Sequence, residues 1–203
     1  MRIFGIDPGS QRTGYGCLET DGRVARLVVC GAITAPATDT FPHRLARIHR
    51  ELSMLLTRCA PDCVAIESLF HAANVRSALK LGHARGVAVL AAVEAGCPVV
   101  EYTPAEVKRA VVGYGRAEKH QVQEMIKLLL GLDLPPSPHD AADALAVAIC
   151  HLHSLPPAGT DLAPHRAGVR GGDPAKVRSY KDAPSPRRPP PRTWRQYRPP
   201  TSG

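Results

Sequence analysis

Four acidic residues have a type and a spacing that could do chemistry together. Asp7 and Glu67 each stand where a short apolar run ends, and Asp140 and Asp143 are three residues apart in an Ala-rich stretch. Residues three apart on a helix share a face, so all four carboxylates converge if that helix crosses the ends of two neighbouring strands. Carboxylates this close repel one another unless cations or shared protons intervene. Such oxygen ligands suit Mg²⁺ or Mn²⁺ rather than zinc.

Each acidic residue also has an ordinary structural interpretation. An Asp after a strand is usually a turn residue, and Asp140 at a predicted helix start is favoured as a cap. Asp143 is harder to explain in this way, because it interrupts the apolar pattern of residues 141–148. The arrangement of two strand ends and one helix therefore favours a shared site over separate structural roles.

The elements that must position these residues begin with a β-hairpin. Residues 2–16 contain two apolar runs separated by Pro-Gly at 8–9, with Asp7 at the end of the first run. This pattern is typical of a tight hairpin. An Asp-Gly pair at 21–22 predicts another turn before a β-rich run over residues 24–33. We therefore expect three consecutive antiparallel strands.

Helical spacing of apolar residues predicts most of the remaining elements. Thr103 and Glu106 have the spacing of a capping box, with Pro104 at the first helical position. Helices alternating with short buried strands predict an α/β fold. The predicted helices cover residues 41–59, 72–95, 104–112, 117–130 and 140–153, and the predicted short strands cover 63–66 and 98–102.

Gly82 and Gly86 lie four residues apart in the Ala-rich helix predicted over residues 72–95. Their shared helix face would let another backbone come close. That backbone belongs either to the sheet of the same chain or to a second subunit, and the sequence favours neither alternative.

The positive charge of the chain lies mostly in its C-terminal part. Of the formal net charge of +8, residues 1–155 carry +1 (16 Lys and Arg against 15 Asp and Glu) and residues 156–203 carry +7 (10 against 3). Residues 156–203 also hold 11 of the 20 prolines, which predicts a disordered tail after one folded domain of residues 1–155. Arginines and aromatic residues interleave over residues 187–198. The tail therefore either contacts DNA or only solvates the chain.

Cysteine usage and hydropathy indicate the compartment. The six cysteines include no CxxC pair, which favours reduced thiols in the cytoplasm over zinc ligands or disulfides. No apolar run approaches the roughly 20 residues that a membrane span needs. We therefore expect a soluble cytoplasmic protein without a membrane partner.

Five segments together carry a resemblance to a known family. They are Ile-Asp-Pro-Gly-Ser…Thr-Gly-Tyr-Gly at 6–16, Ile-Glu-Ser-Leu-Phe at 66–70, Ala-Leu-Lys-Leu-Gly-His-Ala-Arg-Gly at 78–86, Val-Val-Gly-Tyr-Gly-Arg-Ala-Glu-Lys at 111–119 and Asp-Ala-Ala-Asp-Ala-Leu-Ala at 140–146. In this order they resemble the RuvC family of bacterial crossover junction endodeoxyribonucleases. The resemblance implies an RNase H-like fold, in which helices flank a mixed five-stranded sheet. It also implies a homodimer that cuts Holliday junctions and cooperates with the RuvA and RuvB branch-migration proteins.

The resemblance also implies roles for individual residues. Asp7, Glu67, Asp140 and Asp143 match the catalytic carboxylates, which would bind two Mg²⁺ or Mn²⁺ ions. The glycines of the first hairpin would then keep the space beside Asp7 open for a DNA backbone.

The implied DNA contacts are one aromatic and several basic side chains. Phe70 matches the aromatic residue that stacks on a base near the opened crossover. Lys108 and Lys119 match basic residues that face the scissile phosphates, and Lys119 is included among the catalytic residues. Arg76 and Lys80 are looser candidates for contacts with the DNA backbone.

The implied reaction is metal-assisted phosphodiester hydrolysis by paired symmetric nicks, leaving 5′-phosphate and 3′-hydroxyl ends. Two alternatives stay open. The chain could be an RNase H-like module that binds DNA structures or regulates without cleavage. It could also bind nucleotide phosphates through residues 7–14, as the first phosphate loop of sugar kinases and actin-like ATPases does, although those proteins need a second, similar domain.

Overall fold

Five strands, of which the first and the fourth are buried along nearly their whole length, build a mixed sheet. The computed structural model describes residues 1–22, 24–68 and 74–155, and in it the strand order is β3-β2-β1-β4-β5. β1 pairs antiparallel with β2 and parallel with β4, β2 pairs antiparallel with β3, and β4 pairs parallel with β5. The strands are β1 (Arg2–Asp7), β2 (Arg12–Thr20), β3 (Ala25–Thr34), β4 (Cys63–Glu67) and β5 (Val99–Tyr102).

The helices confirm the predicted elements to within about three residues at each end. The capping box before the third helix is complete, because Glu106 donates its backbone N–H to the Thr103 hydroxyl and its carboxylate accepts from the Thr103 N–H at 2.7 Å. The helices are α1 (Phe41–Cys59), α2 (Val75–Glu94), α3 (Pro104–Val112), α4 (Lys119–Leu130) and α5 (His139–Ser154).

Two apolar layers cover the two faces of the sheet. Phe4 and Ile6 pack towards α1 and α2, whereas Ile3 packs towards α3, α4 and α5. Residues two apart on a strand share a face, so Asp7 points to the same side as Ile3. By the same rule, Glu67 points to the side of Cys63, which belongs to the α5 layer. The strand alternation therefore directs both carboxylates towards α5.

Glycines in β1 and β2 let the backbone of α5 lie directly on the sheet. A Cβ atom added at Gly14 would lie 1.9 Å from the Asp140 carbonyl oxygen, and one at Gly5 would lie 2.0 Å from that of Ala144. Neither distance is possible for a real Cβ, so only glycine allows this packing. The expectation that the hairpin glycines keep space open for DNA is wrong, since α5 fills the space at Gly5, Gly14 and Gly16 and the Arg12 backbone fills it at Gly9.

The capping role favoured for Asp140 is also wrong. The N-cap of α5 is Pro138, and Asp140 lies inside the first helical turn. Because its side chain does not cap the helix, it is available to the site described below.

The face of α2 that carries Gly82 and Gly86 is open. A Cβ atom added at either glycine would have no neighbour within 4 Å among the described residues. The packing of α2 on the sheet uses other positions, namely Ala84, Ala88, Ala91 and Ala92. Of the two alternatives, packing of the glycine face on the sheet of the same chain is therefore wrong.

The cysteines are free thiols, as predicted. Burial raises the pKa of Cys63 and of Cys150 to about 11, which makes these thiols unreactive at neutral pH. In the described part of the chain, no helix combines the length and the apolar character needed to cross a membrane. The predictions for Phe70 and for residues 156–203 lie outside the described residues.

Replacing Gly14 with Ala should destabilise the protein by about 3 kcal/mol, because the new methyl group meets the backbone of α5 rather than a side chain that can move. The free energy of unfolding, measured by chemical denaturation, checks this expectation. Gly115→Ala is the matched control, since its Cβ would lie 3.5 Å from its nearest neighbour. Equal stability of the two variants would contradict the packing of α5 against β2.

Candidate active site

Asp7 and Glu67 meet at the ends of two adjacent parallel strands. The register pairs Ile6 with Ile66, which brings the next residue of each strand together. The two carboxyl groups share a hydrogen bond, and such a bond requires a proton on one of them. Burial, and then the negative charges of Glu67, Asp143 and Asp140, raise the pKa of Asp7 to about 8.

The first turn and a half of α5 brings two more carboxylates to this pair. Each is held by a cation from another element. The Arg12 Nε lies 3.6 Å from Asp140 Oδ2, and the Lys119 Nζ lies 3.4 Å from Asp143 Oδ2. The four predicted carboxylates thus converge at one place, where the negative charges of the other three all raise the pKa of Asp7.

Two of the predicted lysines lie beside the carboxylates. The negative charge of Asp143 raises the pKa of Lys119, so this lysine stays protonated at neutral pH. Burial raises the pKa of Glu67, and the positive charges of Lys119 and Lys108 oppose that rise. The predicted basic residues from α3 and α4 therefore sit at the same edge of the sheet as the acids.

The other predicted DNA contacts are placed elsewhere. Arg76 and Lys80 are exposed on α2, which packs on the face of the sheet opposite α5. The structure therefore does not bring them to the carboxylates. His139, to which the sequence assigns no role, is exposed and forms a hydrogen bond with the side chain of Gln123.

The donor set fits an oxygen-preferring cation. Within residues 1–22, 24–68 and 74–155, no three Asp, Glu, His or Cys side chains are placed so that they could jointly hold a metal ion. The nearest carboxylates are instead held by a shared proton and by Arg12 and Lys119. Four converging carboxylates without a sulfur or imidazole donor are the ligand chemistry of Mg²⁺ or Mn²⁺. The shared proton, Arg12 and Lys119 offset part of the negative charge that such cations would also offset.

Sequence reasoning missed the role of Arg12 and the bonds that fix its hairpin. The fully buried Thr13 donates its hydroxyl hydrogen to the Gly9 carbonyl oxygen at 2.9 Å. The buried Arg44 of α1 donates from Nη1 to the Ser10 carbonyl oxygen at 3.2 Å. Arg12 precedes Gly14 by two residues on β2, so strand alternation indicates that the two share a face, but the sequence does not show that α5 covers this face.

Comparison with known proteins decides the family. The family model described as crossover junction endodeoxyribonuclease RuvC matches residues 3–151. The RuvC of Chloroflexus aggregans is 53% identical over 156 residues, which cover 77% of this chain and 95% of that protein. The chain belongs to the RuvC family. It therefore shares the RNase H-like fold and is assigned to the metal-dependent Holliday junction resolvases.

Solved structures agree with this assignment. The Thermus thermophilus RuvC structure is similar with a TM-score of 0.70 and 37% identity, covering 75% of this chain and 94% of that chain. T. thermophilus RuvC in complex with a Holliday junction substrate is similar with a TM-score of 0.69 and 35% identity over the same shares. The resemblance and the predicted mixed five-stranded sheet are thus confirmed, and neither the binding-module nor the nucleotide-binding alternative is favoured.

The raised pKa of Asp7 predicts how stability depends on pH when divalent cations are removed with EDTA. An ordinary Asp has a pKa of 3.8 and Asp7 in the folded protein has one of about 8, so the folded state holds the extra proton between these values. The free energy of unfolding should therefore fall as pH rises from about 4 to about 8. Asp7→Asn removes this dependence and should be more stable than wild type above pH 8, by ~2 kcal/mol or more.

Thermal melts of both proteins at pH 5 and pH 8.5 in EDTA check this prediction. Asp133→Asn, a change at an exposed position before α5, is the control and should follow wild type at both pH values. Parallel pH profiles for wild type and Asp7→Asn would show that the carboxylates do not interact as the structure indicates.

Proposed function

We propose that this RuvC-family chain resolves four-way DNA junctions by symmetric nicking of two opposed strands, leaving 5′-phosphate and 3′-hydroxyl ends. The observation that carries the proposal is the convergence of Asp7, Glu67, Asp140 and Asp143 at one end of the sheet. A relative with 35% identity, T. thermophilus RuvC, has been solved in complex with a Holliday junction substrate, which supports a four-way junction as the substrate here.

The same four carboxylates are proposed to hold two divalent cations, Mg²⁺ or Mn²⁺. Such ions, when bound, activate a water for in-line attack and stabilise the leaving 3′ oxygen. Carboxylates bind metal in their ionised form, so Asp7 and Glu67 must release the proton that they share. Asp140 and Asp143 must likewise be released by Arg12 and Lys119.

The basic side chains are proposed to hold the DNA. Lys119 lies beside Asp143 with its side chain 78% exposed, and it is proposed to leave the carboxylate and offset the charge of the scissile phosphate. Lys108 lies close enough to influence Glu67 and would act on the same phosphate group. Contacts of this kind make affinity fall steeply with salt. Phe70, outside the described residues, and Arg76 and Lys80 on α2 are proposed as further DNA contacts.

A homodimer is proposed to form through the open face of α2. Beside Gly82 and Gly86 this face exposes large apolar side chains, with Val75 77% and Leu79 59% exposed. Leu90 and Val93 continue the same stripe and are also exposed, at the three- and four-residue spacing of one helix face. A second copy of the chain suits this stripe, because a two-fold dimer buries the same patch on both subunits and presents one active site to each of two opposed strands.

Leu79→Glu should convert the dimer to a monomer, because it places a charge in the centre of the proposed interface. Sedimentation velocity or light scattering after gel filtration measures the change. Leu128→Glu on α4 is the matched control, since Leu128 is 69% exposed but lies on another helix. The interface proposal is wrong if wild type is a monomer or if Leu79→Glu leaves the dimer intact at micromolar concentration.

Two further proposals concern context. Residues 1–155 are proposed as the resolvase domain and residues 156–203 as an appended tail, consistent with a family match that ends at residue 151. Family membership supports cytoplasmic cooperation with RuvA and RuvB in recombination and DNA repair. The tail, with a net charge of +7, is more basic than residues 1–155, which carry +1.

Cleavage of a synthetic four-way junction tests the proposed function. Wild type should nick two opposed strands in Mg²⁺ or Mn²⁺. The cleavage rate of Asp7→Asn should be lower by more than about 100-fold, because replacing a metal ligand lowers activity more than replacing a residue that only supports a ligand. Junction binding, measured by anisotropy in EDTA, should survive in the variant. Binding by wild type without paired nicks in either metal would favour a non-cleaving module, and undiminished cleavage by Asp7→Asn would exclude its role as a metal ligand.

A further inference from the structure

We propose that Arg12 is an internal counterion that competes with divalent cations for Asp140 and, once displaced, contributes its guanidinium to DNA binding. This role rests on the proposed function, since it assumes that Asp140 is a metal ligand. Arg12 would thus be a binding and positioning residue of the site rather than a catalytic one.

The backbone places Arg12 against α5. Arg12 and Gly14 share one face of β2, since they are two residues apart on a strand. Gly14 lies so close to the carbonyl of Asp140 that a Cβ at this glycine would come within 1.9 Å of it. The side chain of Arg12 is therefore directed towards the first turn of α5, where its Nε lies 3.6 Å from Asp140 Oδ2.

Three hydrogen bonds hold the hairpin that leads into Arg12. Thr13 bonds to the Gly9 carbonyl at 2.9 Å, and the N–H of Ala35 donates to the Gln11 carbonyl at 2.8 Å. Arg44 donates to the Ser10 carbonyl at 3.2 Å from a position buried in the protein. The pairing of Arg12 with Asp140 is thus set by a fixed backbone rather than by a chance meeting of two flexible surface chains.

The strength of the pair suits a replaceable counterion. The side chains of Arg12 and Asp140 are 54% and 28% exposed, and ion pairs of this kind are weak because solvent screens them. A divalent cation that gains several carboxylates at once can displace such a partner. The guanidinium of Arg12 opposes cation binding at Asp140 through its positive charge.

The side chain of Arg12 is already 54% exposed while it is paired, so its guanidinium is accessible to DNA once Asp140 is bound by a cation. Its planar set of N–H donors matches the oxygens of a phosphate group. Lys119 has the corresponding position on Asp143, at 3.4 Å and from α4. Asp140 and Asp143 of α5 are therefore each paired with a basic side chain from another element, and both of these side chains can turn to the DNA backbone.

Calorimetric titration of Mn²⁺ into the full-length protein without DNA tests the counterion role. Arg12→Gln should bind Mn²⁺ about threefold more tightly than wild type, because a competing charge is removed, and Arg12→Lys should stay close to wild type. Arg47→Gln is the matched control: Arg47 lies 3.6 Å from Asp39, with side chains 42% and 33% exposed, and its loss should not change the affinity. Equal or weaker Mn²⁺ binding by Arg12→Gln overturns the proposal.

Junction binding tests the second half of the role. In Ca²⁺, the slope of log affinity against log salt should be smaller by about one for Arg12→Gln than for wild type, as expected for one lost phosphate contact. In EDTA the two slopes should agree. A change of slope in EDTA, or none in Ca²⁺, refutes the DNA role. Neither titration depends on cleavage, so failure of this proposal is distinguishable from failure of the wild-type cleavage assay.

Discussion

The direct contact between the backbone of α5 and the strands β1 and β2 is the constraint on which the site depends. Added Cβ atoms at Gly5 and Gly14 would meet the backbone carbonyls of Ala144 and Asp140, and the missing side chain of Gly16 leaves room for that of Leu145. On its side, α5 presents small residues, which bury completely against the sheet. Because the helix lies so close, its first turns bring two carboxylates to the strand end that carries Asp7. A larger residue in either surface would separate the acids.

Gathering these acids costs stability, and the structure shows how the cost is offset. Burial and like charge raise the pKa of Asp7 to about 8, so it shares a proton with Glu67. Asp140 lies 3.6 Å from Arg12 and Asp143 lies 3.4 Å from Lys119, so a positively charged side chain faces each of them. The shared proton can be lost by ionisation, and Arg12 and Lys119 can turn away because their side chains are long. A carboxylate cluster stabilised by replaceable partners is prepared for cations, whereas fixed buried ion pairs would have to be broken at greater cost.

Elements with strong local signals were predictable from the sequence. The bounds of α1, Phe41–Cys59, and both bonds of the Thr103 capping box agree with prediction, since helical period and caps are local properties. The convergence of the four acids was also predictable, because strand ends and a helix start fix their places. The role of Gly14 was not, because the sequence does not show which layer covers each face of the sheet. Arg12 escaped notice because its partner, Asp140, lies 128 positions away along the chain, and no local pattern connects the two residues.

Glycine has opposite consequences in the two layers of this fold. In β2, Gly14 is needed because another backbone of the same chain lies against it, whereas a Cβ atom added at Gly82 or Gly86 of α2 would meet nothing within 4 Å in the described chain. The close packing at Gly14 completes the site within one subunit. The open face at Gly82 and Gly86 leaves an apolar stripe that a second subunit can cover. Since α2 and α5 lie on opposite faces of the sheet, the proposed interface does not compete for space with the carboxylates. A dimer formed there would keep two complete sites and fix only their separation, which is the quantity that symmetric cleavage of a two-fold junction requires.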